Sequence, residues 1–182
     1  MNVLLDIMGS TIIGGLIVSM LINFTIFQNN TSFASDSELQ LQQNAKTLAE
    51  ILNYDLRKIG YGCDSASIIV ADSEKISFYS DIDKNGFLDQ ITYTISDTSD
   101  VSSTTNPEDV ILYRIVNNDT SKGPSLGLTK LKFSYLDGMG TETTTLLDIR
   151  YIHAELWIKS IEPVQDDYIF TYWEMTINPR NL

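Results

Sequence analysis

Five residues in the middle of the chain are spaced as in a cation-binding loop. Asp81, Asp83, Asn85, Gly86 and Asp89 follow D-x-D-x-N-G-x-x-D, the opening of an EF-hand loop, whose carboxylate and amide oxygens suit a hard ion such as calcium. The twelfth position is Thr92 in place of the glutamate that would supply two oxygens, and both flanks alternate as strands do. The simpler reading is a hairpin turn, because Lys84-Asn85-Gly86 offers the positive backbone angles such a connection needs. Asp81, Asp83, Asn85 and Asp89 therefore stand as a weak calcium set, and no other cofactor is expected.

Two further candidates fare worse on their surroundings. Gly123-Pro124-Ser125-Leu126-Gly127 matches G-x-S-x-G, the nucleophile elbow of hydrolases, but that elbow joins a strand to a helix and this run sits in a polar loop between strands. The sole histidine, His153, shares a strand face with Tyr151, Glu155 and Trp157, opposite Ile152, Ala154, Leu156 and Ile158, so it reads as a surface or interface residue. The chain is accordingly read as non-enzymatic, with no small-molecule substrate. Cys63, the sole cysteine, has no internal partner and is expected to be buried. Tyr151, Trp157, Tyr168, Tyr172 and Trp173 crowd the last two strands, and core packing is the first expectation for them, interface anchoring the second.

Charge and composition narrow the classes further. The 182 residues carry 12 Lys+Arg against 24 Asp+Glu, a formal net charge of −12. A duplex binder needs clustered cations to displace phosphate counterions, so nucleic acid is excluded as a partner. One histidine and one cysteine cannot form a Cys/His zinc site, an iron–sulfur cluster or a disulfide framework.

The elements that would position these residues begin with an apolar run. From Val3 to Phe27 the only ionisable side chain is Asp6, and these residues as a helix span about 37 Å, enough for a hydrocarbon core of about 30 Å. Without a basic start or an A-x-A-like exit the run reads as a retained anchor, not a cleaved signal. No Lys or Arg flanks it, so charge does not orient it. Thr11, Gly15, Ser19 and Asn23 recur every four residues, a small-residue stripe of the kind that lets helix backbones approach in lipid.

Leu41, Ala45, Leu48, Leu52, Leu56 and Ile59 are spaced by four, three, four, four and three, the stripe of an amphipathic helix that needs a partner surface. Gly60 and Gly62 are expected to end it, with Arg57 and Lys58 in the last turn. Around residues 29–36 a break is expected, or else one long bent helix, with Ser35 and Glu38 as a capping box for a second helix. Beyond Gly62 the period becomes alternating. Strands are expected at 75–81, 90–96, 110–116, 128–135, 149–160 and 168–177, and more weakly at 67–71. Polar loops separate them, at 96–107, 117–127, 137–145 and 161–167. The fold class is α+β, with residues 1–28 a transmembrane or assembly helix, 29–62 an amphipathic stem and 63–182 a head made of one antiparallel sheet covered by the stem.

This layout resembles that of type IV pilins and type II secretion pseudopilins. Leu48 to Cys63, LAEILNYDLRKIGYGC, is similar to the stem end of minor pilin-like proteins, where an apolar-x-x-D-[LI]-R-x-x-G-Y pattern closes the helix. Residues 76–95, ISFYSDIDKNGFLDQITYTI, resemble their first hairpin, and the final YWEMTINPRNL resembles the last strand of some prepilin-like subunits. The front departs from the family, which carries a basic leader ending in Gly and then Phe-Thr-Leu-Ile-Glu. If the mature chain begins at Asn2, Asp6 takes the fifth position, where the family has the glutamate that pairs with a neighbouring subunit's amine. The resemblance implies a pilin-like, membrane-anchored structural subunit of a filament, held in the inner membrane by one span with its head outside the cytoplasm. Its partners would be membrane lipid, other pilin-like subunits and the assembly machinery. Asp6, Thr11, Gly15 and Ser19 would make its assembly contacts. The alternative from the residues alone is a permanently anchored single-pass protein whose head binds a ligand or partner, with calcium assisting.

Overall fold

A computed structural model describes residues 3–64, 66–101, 104–123, 126–164 and 167–182. Helix α1 (Val3–Leu56) runs for 54 residues with no break at 29–36. From Leu16 to Ile59 the sequence has neither glycine nor proline, so nothing there removes a backbone donor or frees the chain. Asn29 and Asn30 each cost only about 0.7 kcal/mol in a helix. Ser35 and Glu38 thus lie mid-helix and cap nothing.

The helix has two unlike halves. Leu41, Ala45, Leu48, Leu52 and Leu56 are buried, as their spacing requires, and Ile59 joins them just beyond the helix. From Val3 to Gln40 no described side chain is buried; Phe33, Ser37 and Gln40 still border a pocket with Ser160, Ile161 and Glu162 of the head, so the helix extends away from it over residues 3–32, about 45 Å. α1 ends at Leu56, short of the glycines, and Arg57 and Lys58 fall just past its last turn. A series of turns follows. There Gly60 sits at φ +79°, where a Cβ would come within 2.6 Å of the Asn181 carbonyl oxygen, so glycine is required for close approach.

The head holds two antiparallel sheets in place of the single one expected. The first has five strands in sequence order, β1 (Ile68–Ala71), β2 (Lys75–Ser80), β3 (Asp89–Ile95), β4 (Leu112–Val116) and β5 (Asp119–Lys122). The second is a meander of β6 (Leu128–Leu136), β7 (Tyr151–Lys159) and β8 (Phe170–Ile177). Single turns of 3-10 helix occupy Thr98–Asp100 and Leu146–Asp148. The sheets stay separate because the edge of β6 pairs with turn backbone and not with a strand: the Phe133 N–H donates to the Ser73 carbonyl (2.7 Å) and the Val110 N–H to that of Leu128 (2.7 Å). Both sheets nevertheless build one core, in which Ile76, Phe78, Ile91 and Tyr93 meet Leu131, Phe133, Ile152 and Leu156 beneath the buried stripe of α1.

β5 lies inside a segment expected to be loop. All four of its residues are exposed, so no apolar alternation marks it. It is set by the turn before it, where Asn117 (φ 50°) and Asn118 (φ 74°) take the left-handed backbone of a two-residue hairpin. The face assignment of β7 holds, with Ile152, Ala154, Leu156 and Ile158 buried and the intervening residues partly exposed. None of Tyr151, Trp157, Tyr168, Tyr172 and Trp173 is buried, contrary to the core expectation. They lie on residues of β7 and β8, or flanking β8, that do not enter the shared core. Cys63 is only half-buried, its thiol 3.6 Å from the Tyr79 carbonyl. Desolvation, and then the charge of Asp64, raise its pKa.

Candidate functional site

The candidate positions fall into four places. The first is the free half of α1. An 18-residue stretch of it has mean hydropathy 1.9 with none of it buried, so the helix is long and apolar enough to cross a membrane. Gly14 and Gly15 have open space where a Cβ would stand, and the Thr11 hydroxyl donates to the Met8 carbonyl (2.9 Å) of its own helix. The stripe thus offers a close-packing shape, with the Thr11 donor already used within its own helix. Thr11, Gly15 and Ser19 lie within about 80° of arc, whereas Asp6 lies about 140° from Thr11 around the same helix. Asp6 and the small-residue stripe therefore face different neighbours. Asn2, the proposed mature start, lies outside the described residues.

The second is the acidic loop joining β2 and β3. Carboxylate oxygens of Asp81, Asp83 and Asp89 lie within 4.8 Å of one another. Asp81 is buried, and its two oxygens accept the N–H groups of Asn85 (3.1 Å) and Gly86 (3.0 Å). The Asn85 side-chain oxygen accepts the Phe87 N–H at 2.7 Å, and its side-chain amide donates to Asp83 Oδ2 at 2.8 Å, so Asn85 braces the turn and one carboxylate and its oxygen is not free to be a further ligand. Thr92 is buried within β3, its hydroxyl 2.9 Å from that of Ser77, and supplies nothing to the loop. The connection is eight residues long, with Lys84 (φ 61°) and Gly86 (φ 86°) in the left-handed region.

The third joins stem to head. Asp55, in the last turn of α1, has a side chain only 3% exposed. One of its oxygens accepts from the Tyr93 hydroxyl (2.7 Å, from β3) and from Arg114 Nε (2.6 Å, from β4); the other is buried and has no partner among the described residues. Desolvation, and then Asp55, raise the Tyr93 phenol far above its ordinary range. Burial works to lower the Arg114 guanidinium, but Asp55 and then Tyr93 together raise it above its ordinary value. A charged pair held this way fixes the register of stem against sheet. Asp55 was visible within the stem-end pattern, but its partners lie 38 and 59 residues away in sequence, and no local spacing announces them.

The fourth is the outer face of the three-stranded sheet. His153 and Glu155 share that face by alternation, and the register sets Glu155 opposite Glu174 and His153 opposite Thr176. Only the strand pairing brings Glu174 in. Of the G-x-S-x-G run, Pro124 and Ser125 lie outside the described residues; Gly123 follows β5 and Gly127 precedes β6, so the run joins strand to strand.

No family model, curated protein or solved structure matches this chain. Its class is therefore defined by its architecture, an α+β protein with one long, membrane-length N-terminal helix packed by its C-terminal half on antiparallel sheets.

Proposed function

We propose that this chain is a structural, non-enzymatic subunit of a pilin-like or pseudopilin-like filament, anchored in the inner membrane before assembly. The observation that carries the reading is the division of α1, whose free half leaves its large apolar side chains exposed while the other half is locked into the head. In water such a surface is unfavourable at about 25 cal/mol per Å², so it needs lipid or equivalent helices around it. Close packing of copies would run along Thr11, Gly15 and Ser19, and Asp6 would meet a cation of a neighbouring subunit on another face of the helix. The acidic head remains outside the cytoplasm and supplies contacts between subunits.

The experiment is filament incorporation in the native cell, read together with intact mass of the N-terminus. Asp6→Ala is expected to abolish incorporation while the protein stays folded and in the membrane, and the wild-type amine is expected to be newly exposed and methylated. Normal incorporation of Asp6→Ala removes the pairing role. An unmethylated, uncut start with no filament favours the permanently anchored alternative.

A further inference from the structure

We propose that His153, Glu155 and Glu174 form a binding site for one divalent transition-metal ion of the zinc type, on the outer face of the three-stranded sheet. His153 Nε2 lies 3.9 Å from Glu155 Oε1 and 4.0 Å from Glu174 Oε2, and the three ligand atoms all fall within 4.8 Å of one another. These separations are too long for hydrogen bonds. Zinc–nitrogen and zinc–oxygen bonds of about 2.1 Å in tetrahedral geometry set neighbouring ligand atoms about 3.4 Å apart. The two imidazole–carboxylate edges reach that size by closing roughly half an ångström each, and the carboxylate–carboxylate edge, within 4.8 Å, by at most about 1.4 Å, within reach of side-chain rotation. Water supplies the remaining position on the solvent side.

Three further observations point to a cation. First, the ring is already oriented: His153 Nδ1 is 3.0 Å from Thr176 Oγ1, the outer partner that metal-bound imidazoles commonly keep, and this leaves Nε2 facing the carboxylates. Second, Glu155 and Glu174 are directly opposed on paired strands, an arrangement that repels. Third, the Tyr172 hydroxyl lies 2.9 Å from Glu155 Oε1 and 2.9 Å from Glu174 Oε2. It has one proton to give, so it cannot fully serve both. Lys132, 3.6 Å from the other Glu155 oxygen, balances one of the two negative charges. One imidazole with two carboxylates selects a borderline metal over calcium, which takes oxygen ligands only. The composition excludes a Cys/His zinc site but leaves this one open.

The test is cobalt(II) and zinc titration of the full-length chain in detergent micelles, followed by cobalt absorption and by the shift of the melting temperature. One equivalent is expected to bind, with zinc displacing cobalt and raising the melting temperature, and calcium doing neither at this site. Glu174→Gln and His153→Gln are expected to abolish this binding, and Thr176→Val, which removes only the Nδ1 partner, to weaken it about 10–100-fold. Asp83→Asn, in the β2–β3 loop, is expected to leave it intact. All four positions lie off the core, and unchanged metal-free melting of each variant shows that it is folded. Should one variant fail to fold, the other three carry the test. Absence of stoichiometric binding by the wild type, or binding unaltered in both Glu174→Gln and Thr176→Val, overturns the proposal.

Discussion

Replacing Asp55 with alanine removes the one acceptor shared by Tyr93 and Arg114. Two costs follow. The charge-assisted bond to Arg114 Nε, at 2.6 Å, contributes about 1.5–3 kcal/mol, and the fully buried Tyr93 hydroxyl loses its partner at about 1–3 kcal/mol. Two effects reduce the sum. The Arg114 side chain is 31% exposed, so its guanidinium recovers water, and the unpartnered second oxygen of Asp55 disappears with the side chain. The net is about 3 kcal/mol, at the low end for breaking a buried pair. Urea unfolding of the full chain in detergent, followed through Trp157 and Trp173, measures it. Tyr93→Phe is expected to cost only about 1 kcal/mol, since Arg114 still holds the carboxylate. In a double-mutant cycle with Arg114→Met the two losses should be strongly non-additive. A loss below about 1 kcal/mol for Asp55→Ala, or additive losses, would refute the stem-to-head clamp.

Asp109 is buried, and neither of its oxygens has a partner among the described residues. Burial raises its carboxyl pKa; the Thr104 hydroxyl, nearby but outside hydrogen-bond geometry, only partly opposes the rise, and Glu108 adds to it. Between the unfolded value and the raised folded one, the native state holds a proton that the unfolded chain has released, so stability falls as pH climbs through that window. Asp109→Asn is therefore expected to stabilise the protein at neutral pH by about 1–3 kcal/mol and to flatten the decline, as read from melts across pH. Calcium added to the full chain should leave the melting temperature unchanged, because Asp81 and Asn85 already serve the turn and Thr92 points elsewhere; a rise lost in Asp83→Asn would reinstate the calcium reading. Gly127→Ala, at φ +76° with the Lys159 carbonyl where the methyl would stand, is expected to cost more than about 1 kcal/mol. Asn118→Gly should instead gain several tenths by relieving a left-handed residue, both measured by the same urea titration.

What could be read from the residues was whatever local periodicity carries. The spacing of Leu41 through Ile59 gave the buried stripe of α1, and the alternation in β7 placed His153 and Glu155 together on the outer face. The uninterrupted helix depended on an absence, the lack of glycine and proline between Leu16 and Ile59, which weighs more than the small helix penalties of Asn29 and Asn30. β5 carried no pattern because no face of it is buried, and the split into two sheets depends on which backbone groups meet the edge of β6. The Asp55 clamp and the position of Glu174 opposite Glu155 rest on pairings between distant segments. The exposed aromatics of β7 and β8 show the limit of composition: strand-forming side chains do not reveal which face the helix covers.

On the proposed function the free half of α1 lies in a bilayer. Alkaline carbonate washing of membranes from cells making the full chain tests it directly, because peripheral proteins are released and inserted helices are not. The chain is predicted to remain wholly in the membrane pellet; its recovery in the supernatant would contradict the account.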